Sequence, residues 1–298
     1  MPRGMGRRVG DPGARAWCAC RRLLRNVEPT YQLPIYVEVH GRGRPIVLIH
    51  GFAGSAFSWR YWAQDLARDH SVILVDLKGH GSAPAPRDGR YSPADQADLV
   101  YRHLVHESLS DVTLVGHSMG GAVALLVALR CLDKGEDRVS RMALVAGAAF
   151  PQPLPPFIKM ARGPLSRMVA RLVPKRRLVR RILRSIVHDP AGVSESQVLG
   201  YSEPLRRPEH QIAILETAAQ LVPEDPEAVT SRYAEIHLPT LLLWGDHDRV
   251  VPLWVGERLA EVLPHATLRV LEDCGHLPPE EKSTESLIVF REFLEHNP

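Results

Sequence analysis

The chain has 298 residues, of which 45% are hydrophobic and 24% are charged, and this balance excludes a disordered or fibrous protein. The net charge of +3 conceals an uneven distribution, since residues 1–25 carry a net charge of +6 and residues 159–184 carry +10. The remaining residues therefore carry −13. The sequence predicts an acidic globular body with two basic segments.

The number of cysteines and the length of the apolar runs indicate in which cellular compartment the protein is expected. Cys18, Cys20, Cys131 and Cys274 are too few for a disulfide scaffold, and their spacing fits no zinc motif. The longest apolar runs fall well short of the roughly 20 residues of a membrane-spanning helix. No apolar segment follows the Arg-rich start, as it would in a secretory signal. We therefore expect a cytoplasmic protein with a basic N-terminal extension over residues 1–30.

From residue 45 onward, short apolar runs alternate with longer segments of helical period. The apolar runs have no polar face, which is typical of strands buried on both sides of a parallel sheet. Strands of this kind are predicted over residues 46–50, 71–76, 112–116 and 142–146, and the later runs 240–244 and 267–271 repeat the strand pattern. Helices are predicted over residues 56–67, 92–107 (with Ser92 as N-cap), 119–132, 253–262 and 279–296. With an antiparallel strand over residues 36–40, the pattern predicts an α/β fold with a doubly wound, mostly parallel sheet.

The alternation stops between residues 150 and 237. This stretch opens with four prolines and continues in helical pattern without a convincing strand. Such an insertion between two late strands predicts a helical cap over residues 151–236. The α/β core would then consist of residues 31–150 and 237–298.

The sharpest sign of chemistry is the sequence Gly116-His117-Ser118-Met119-Gly120, which lies where a predicted strand gives way to a predicted helix. The glycines allow strand and helix to approach closely in a strained turn, which presents the serine hydroxyl at the C-terminal edge of the sheet. The free N–H groups at the start of the helix would face a developing oxyanion. Ser118 is therefore predicted to be a nucleophile.

A serine nucleophile needs a histidine base that is held by a carboxylate. His276 follows the strand predicted over residues 267–271, and both Asp246 and Asp248 follow the strand predicted over residues 240–244. Both loops open onto the same sheet edge as Ser118, and the order Ser, Asp, His is that of such sites. The residues alone predict His276 as the base and leave Asp246 and Asp248 as alternatives for the acid.

A glycine-bearing loop, His50-Gly51-Phe52-Ala53-Gly54, follows the first parallel strand. Such a loop turns a backbone N–H toward the nucleophile, beside the N–H of the residue after the serine. Two backbone donors suit acyl transfer, in which negative charge collects on one carbonyl oxygen. The N–H groups of Phe52 and Met119 are therefore predicted to form an oxyanion hole.

Together these residues resemble the α/β-hydrolase family over the chain from about residue 36 onward. The shared motifs are the loop His50-Gly51, the turn over residues 76–82, the turn over residues 116–121, the acid loop from Gly245 to Pro252 and the histidine loop Gly275-His276. In the family's pattern the acid is the Asp three residues after the glycine, which implies Asp248, with Asp246 as the runner-up. The resemblance also implies that the cap shapes the substrate pocket.

The type of nucleophile narrows the reaction that this resemblance implies. Family members that open epoxides or remove halide carry Asp at this turn, whereas Ser118 implies acyl chemistry through an acyl-enzyme. We predict hydrolysis of a small-molecule carboxylic ester with an apolar acyl part, without a cofactor or a metal. The alternatives are an enzyme that hydrolyses lactones, thioesters or carbon–carbon bonds, and a hydrolase-like receptor that binds a ligand. Members that cleave carbon–carbon bonds often carry Trp after the histidine, where this chain has Leu277.

The basic part of the cap has two interpretations. Its apolar residues recur at helical spacing and are Leu165, Met168, Val169, Leu172, Leu178, Ile182, Leu183 and Ile186. They could insert into an anionic membrane surface with the basic side chains at the headgroups. Alternatively they pack on the core with the basic side chains in solvent, and we favour this interpretation. Nucleic-acid binding is not predicted, because no aromatic platform or reading motif accompanies the charge.

Other conspicuous residues have structural interpretations. His117 is predicted to pack beside the nucleophile, and His80 to anchor a turn. Trp59 and Trp62, at helical spacing, are predicted to belong to the core. His247 has no evident partner in the sequence.

Overall fold

Seven strands form one sheet in the computed structural model, which describes residues 33–163 and 173–297. In chain order the strands are β1 (Tyr36–Gly41), β2 (Pro45–Ile49), β3 (Ser71–Asp76), β4 (Val112–His117), β5 (Val139–Val145), β6 (Thr240–Gly245) and β7 (Ala266–Leu271). Their spatial order is β1-β3-β2-β4-β5-β6-β7. Among these strands only β1 is antiparallel, to β3. The predicted doubly wound, mostly parallel sheet is therefore confirmed.

The central strands are buried on both faces, which explains their continuous apolar sequences. In β2, Val47 and Ile49 belong to one hydrophobic cluster, whereas Ile46 and Leu48 belong to a second. Because alternate residues of a strand point to opposite faces, the two clusters lie on opposite sides of the sheet. Trp59 and Trp62 are fully buried in the second cluster, as predicted.

Eleven α-helices accompany the sheet in the described residues. They are α1 (Arg60–Leu66), α2 (Pro93–His106), α3 (Met119–Lys134), α4 (Pro156–Arg162), α5 (Lys175–Ile186), α6 (Glu195–Ser202), α7 (Pro208–Gln220), α8 (Pro226–Thr230), α9 (Leu253–Val262), α10 (Pro278–Glu281) and α11 (Ser283–His296). Ser92 is the N-cap of α2, as predicted, because its Oγ accepts the N–H of Asp95 while the Asp95 carboxylate accepts the N–H of Ser92.

Two predicted helices are divided. The segment predicted over residues 56–67 begins as a 3-10 turn (Ala56–Trp59) before α1, because Ser55 caps the turn and Asp76 accepts the N–H of Ala56. The segment predicted over residues 279–296 is interrupted at Lys282, whose backbone (φ −126°, ψ 49°) is not helical and separates α10 from α11. The first interruption comes from contacts that helical periodicity does not report.

Helices α4 to α8 lie in the chain between β5 and β6, so the predicted helical insertion between two late strands is present. We refer to residues 151–236 as the cap. Within its described residues, no segment is a β-strand. The predicted N-terminal extension, residues 1–30, and the predicted apolar positions Leu165, Met168, Val169 and Leu172 lie outside the described residues. None of the helices described is both long and apolar enough to cross a bilayer.

Candidate active site

Ser118 occupies the single position between the end of β4 and the start of α3. Its backbone has φ 54° and ψ −119°, a strained conformation for a residue with a Cβ. The N–H of Ser118 donates to the carbonyl oxygen of Val145 at 3.0 Å, which ties the turn to β5. Gly116 is required because a Cβ there would lie 2.2 Å from the carbonyl oxygen of Gly120. The sequence thus builds the sharp strand-to-helix turn that was predicted.

His276 and Asp248 form a buried pair. Nδ1 of His276 lies 2.8 Å from Oδ2 of Asp248, and their side chains are 5% and 0% exposed. The other carboxylate oxygen accepts the N–H groups of Val250 at 2.8 Å and Val251 at 2.9 Å, so the acid is fixed by its own loop. Because an ionised carboxylate only accepts hydrogen bonds, Nδ1 of His276 carries the proton and Nε2 keeps its lone pair.

Asp246 faces a different partner. Its Oδ1 lies 2.6 Å from Nδ1 of His247 and accepts the N–H of Cys274 at 3.1 Å. Its side chain is 29% exposed, in contrast to that of Asp248. The geometry therefore brings Asp248, the residue implied by the family pattern, to His276. It leaves the runner-up outside this pair.

The loop after β2 touches the nucleophile turn. A Cβ added to Gly51 would lie 3.0 Å from the Cβ of Ser118, so the two backbones are in close contact. Phe52 and Met119 both line the cavity that contains Ser118. Met119 is the first residue of α3, and the N–H groups of a first helical turn have no partner within the helix. The arrangement leaves a donor available beside Ser118.

His50 fixes the loop after β2 through hydrogen bonds at both ring nitrogens. Its Nε2 accepts the N–H of Leu77 at 3.0 Å, so Nδ1 is protonated and donates to the carbonyl oxygen of Gly51 at 2.8 Å. Burial, with a contribution from His80, lowers the pKa of His50 to about 3. His50 is therefore neutral at physiological pH and acts as a two-ended hydrogen-bonding brace.

His117 supports the loop of His276 through a hydrogen bond. Its Nε2 donates to the backbone carbonyl oxygen of His276 at 2.8 Å, and the two ring centroids are 4.8 Å apart. Burial, with a contribution from His276, lowers the pKa of His117 to about 3. His117 therefore packs beside Ser118, as predicted. The sequence did not reveal that its hydrogen-bond partner, His276, lies 159 residues away.

Two spaces have Ser118 in their walls. The larger cavity measures about 590 Å³, and Ser118, Phe52 and Met119 belong to its wall. The smaller measures about 120 Å³ and is lined by Ser118, His276 and Leu277. Its remaining wall includes the apolar stripe of α5, which consists of Leu178, Val179, Ile182, Leu183 and Ile186. A separate surface groove of about 910 Å³ contains none of the residues Ser118, Asp248 and His276.

The position of the α5 stripe bears on the two interpretations of the basic cap. Leu178, Ile182, Leu183 and Ile186 face the cavity and the core, so their side chains are directed away from the outer surface. The outer side of the helix carries exposed arginines, including Arg177 and Arg181. In the described half of the segment the stripe therefore packs inward, and contact of the basic cap with a membrane surface stays a prediction.

Glu281 organises the histidine loop, and sequence reasoning missed it. Its carboxylate accepts three backbone N–H groups: Gly275 at 3.0 Å, Leu277 at 2.9 Å and, from the cap, His188 at 2.7 Å. The sequence signal that could have indicated Glu281 is its position in the first turn of the helix that begins at Pro278, where acidic residues are favoured. The contact with His188, which lies 93 residues away, could not be read from that signal.

Glu280 was missed as well. It forms an ion pair with Arg60 at 2.6 Å, and both side chains are only 2% exposed. Glu280 also accepts hydrogen bonds from Tyr201 and from Gln197, the latter at 2.9 Å, and both partners belong to α6 of the cap. Burial and the neighbouring carboxylate raise the pKa of Tyr201. The cluster joins the core to the cap beside the site.

A family model described as the alpha/beta hydrolase fold matches residues 44–283. The chain belongs to the α/β-hydrolase family. The matched range includes the turn of Ser118 and the loops of Asp248 and His276. The assignment of this chain as a hydrolase rests on that match. The comparison does not by itself select the bond that is cleaved.

Among curated relatives, the uncharacterized hydrolase YugF of Bacillus subtilis (strain 168) is 30% identical over 83% of this chain and 89% of its own length. Lipase 1 of Psychrobacter immobilis is 27% identical over 85% of this chain and 78% of its own length. The 2-hydroxymuconate semialdehyde hydrolase of Pseudomonas sp. (strain CF600) is 26% identical over 85% of this chain and 88% of its own length.

Solved structures show the same fold. An alpha/beta hydrolase fold protein from Burkholderia ambifaria superposes with a TM-score of 0.76 at 29% sequence identity. The superposition covers 87% of this chain and 93% of that chain. The α/β-hydrolase fold is therefore shared along most of the chain.

Proposed function

We propose that this α/β-hydrolase cleaves carboxylic esters through an acyl-enzyme on Ser118. The observation that carries the proposal is the buried 2.8 Å contact between His276 and Asp248 in loops that open onto the cavity of Ser118. Asp248 keeps Nδ1 of His276 protonated, so Nε2 is the basic nitrogen. A serine at a strained turn, a histidine with Nδ1 held by a carboxylate and that fixed carboxylate form the set that activates a hydroxyl nucleophile.

In the proposed reaction, Oγ of Ser118 forms a bond to the carbonyl carbon while its proton passes to Nε2 of His276. The N–H groups of Phe52 and Met119 hold the resulting oxyanion. When the carbonyl re-forms, the ester C–O bond breaks and His276 gives its proton to the leaving alcohol. Water then attacks the acyl-enzyme with His276 as base, which releases the acid and restores Ser118.

The cavity supports an apolar acyl part. The α5 stripe and Phe157 of α4 line the smaller space beside Ser118 and His276. The larger space adds apolar walls from the cap and its borders, among them Phe150, Leu154, Leu221, Val222 and Val229. Burial of methylene groups against such walls contributes about 0.8 kcal/mol for each group. The similarity to Lipase 1 points in the same direction.

Hydrolysis of a carbon–carbon bond is the second candidate, and the similarity to 2-hydroxymuconate semialdehyde hydrolase favours it. The same three residues would serve both reactions. Leu277 follows His276 in the sequence and lines the small space. Carbon–carbon hydrolases often have Trp at this position. Lactone or thioester hydrolysis needs no change in the proposed machinery, and a ligand receptor would retain the cavity without turnover.

A panel of p-nitrophenyl esters of graded acyl length tests the proposal, with a ring-fission dienone as the carbon–carbon substrate. We expect turnover of esters with a distinct chain-length optimum and its loss in Ser118→Ala, whereas Ser185→Ala on the outside of α5 serves as the control. Turnover of the dienone alone would favour the second candidate. Binding without turnover of any substrate would favour the receptor.

A further inference from the structure

Three side chains with metal-binding atoms meet at the junction of cap and core, outside the triad cavity. They are His188, His247 and Asp273, and one ligand atom from each lies within 4.8 Å of the other two. Nε2 of His188 is 3.7 Å from Oδ1 of Asp273, and the rings of His188 and His247 have centroids 4.4 Å apart. His188 follows α5, His247 follows β6 and Asp273 follows β7.

The two histidines present suitable nitrogens. Nδ1 of His247 lies 2.6 Å from Oδ1 of Asp246, and that carboxylate is fixed by the N–H of Cys274. The carboxylate keeps Nδ1 protonated, so Nε2 of His247 has the free lone pair; this carboxylate–histidine arrangement is common behind metal ligands. In His188, Nδ1 is buried, and the atom that approaches Asp273 is Nε2.

The donor set selects the class of ion. Two imidazole nitrogens with one carboxylate suit Zn²⁺ and similar transition-metal ions, whereas Ca²⁺ and Mg²⁺ prefer oxygen ligands. Tetrahedral bonds of about 2.0–2.2 Å place neighbouring ligand atoms roughly 3.3–3.6 Å apart. The 3.7 Å separation of His188 and Asp273 is already close to that value. Water would complete the coordination, because all three side chains are 32% to 73% exposed.

We infer that His188, His247 and Asp273 form a Zn²⁺-class site that clamps the base of the cap to the core. The segment it would hold is the one that supports His276: the carbonyl oxygen of Ile186 accepts the N–H of His276 at 2.9 Å. The N–H of His188 donates to Glu281, which also holds the histidine loop. Asp246, which does not contact His276, serves here as the residue that orients His247.

Isothermal titration of tag-free, EDTA-treated protein with Zn²⁺ tests this site, and Co²⁺ absorption provides a second, spectroscopic measurement. We expect one Zn²⁺ per chain and a rise in Tm with ion concentration, since an ion that binds only the folded state stabilises it. Ca²⁺ and Mg²⁺ should give neither effect. His188→Ala, His247→Ala and Asp273→Asn should each abolish saturable binding, and Asp246→Asn should weaken it about 10- to 100-fold.

His106→Ala removes an exposed histidine at the end of α2 and should bind Zn²⁺ like the wild type. Ser118→Ala should also bind normally, so failure of the esterase proposal and failure of the clamp give different results. Circular dichroism confirms that each variant is folded. Unsaturable binding by the wild type, or equal affinity in the wild type and in His188→Ala, would overturn the inference.

Discussion

Nδ1 of His276 lies 2.8 Å from Oδ2 of Asp248, and neither side chain has appreciable contact with solvent. We expect Asp248→Asn to lower kcat about 10³- to 10⁴-fold, because an amide cannot hold the histidine in the tautomer with a basic Nε2. Asp246→Asn should lower kcat less than tenfold, because Asp246 contacts His247 instead. Steady-state kinetics on one ester decides between them. The reverse ranking would assign the acid role to Asp246.

The hydrogen bond from His117 to the backbone of His276 predicts a positioning effect. His117→Leu removes the donor and leaves the carbonyl oxygen of His276 unpaired in a buried place, which costs about 1–3 kcal/mol. We expect kcat to fall about tenfold or more. KM should change less, because His117 is only one of the residues that line the smaller space beside Ser118. His117→Gln can still donate and should recover part of kcat. A loss that appears only in KM would contradict this role.

Three buried histidines predict loss of stability in acid. The pKa values of His50 and His117 are lowered to about 3 and that of His80 to about 4, in each case chiefly by burial. The unfolded chain takes up these protons near pH 6.5 and the folded chain does not, so stability is complete above pH 6.5 and falls as the pH is lowered toward 4. Each histidine adds a slope of about 1.4 kcal/mol per pH unit.

His80→Asn isolates one of these contributions. The ring of His80 faces His50 at 5.3 Å and is also influenced by His210, and its Nδ1 donates to the carbonyl oxygen of Lys78. An asparagine amide can replace that donor without titrating. Urea unfolding between pH 6 and pH 4.5 should show a slope smaller by about 1.4 kcal/mol per pH unit than in the wild type. An unchanged slope would mean that His80 is already protonated in the folded state.

The buried ion pair of Glu280 with Arg60 predicts a large stability effect. Glu280→Gln leaves the guanidinium without its counter-charge in a buried place, and we expect a loss of about 3–5 kcal/mol in the free energy of unfolding. The double variant Arg60→Met, Glu280→Gln removes both charges and should regain part of that loss. Denaturant titration measures both values. Additive losses in the double variant would show that the two charges are not coupled.

Much of the fold could be predicted because the central strands are buried on both faces. The apolar runs of β2, β4 and β6 have no competing interpretation, and each predicted strand overlaps an observed one. Helix interruptions were not predictable, because capping by Ser55 and Asp76 depends on contacts across the fold. Periodicity also showed that α5 has an apolar stripe, but only the packed structure directs that stripe toward the cavity.

The candidate site, like the fold, could be predicted only in part. Ser118 and His276 stand out because a glycine-rich turn and a loop after a strand have recognisable sequences. Asp246 and Asp248 lie two residues apart in one loop, so their different partners depend on loop geometry that the residues alone do not determine. Glu281 accepts a backbone N–H from the nearby Gly275 and another from the distant His188, and the contact with His188 leaves no sequence pattern.

Acylation of Ser118 is tested most directly by quenching the protein in acid during turnover of p-nitrophenyl butyrate and mapping its peptides by mass spectrometry. We predict a burst of p-nitrophenol and a butyryl group on the peptide that contains Ser118. Ser118→Ala should show neither, although it remains folded. A butyryl group on another residue, or full turnover by Ser118→Ala, would contradict the proposed mechanism.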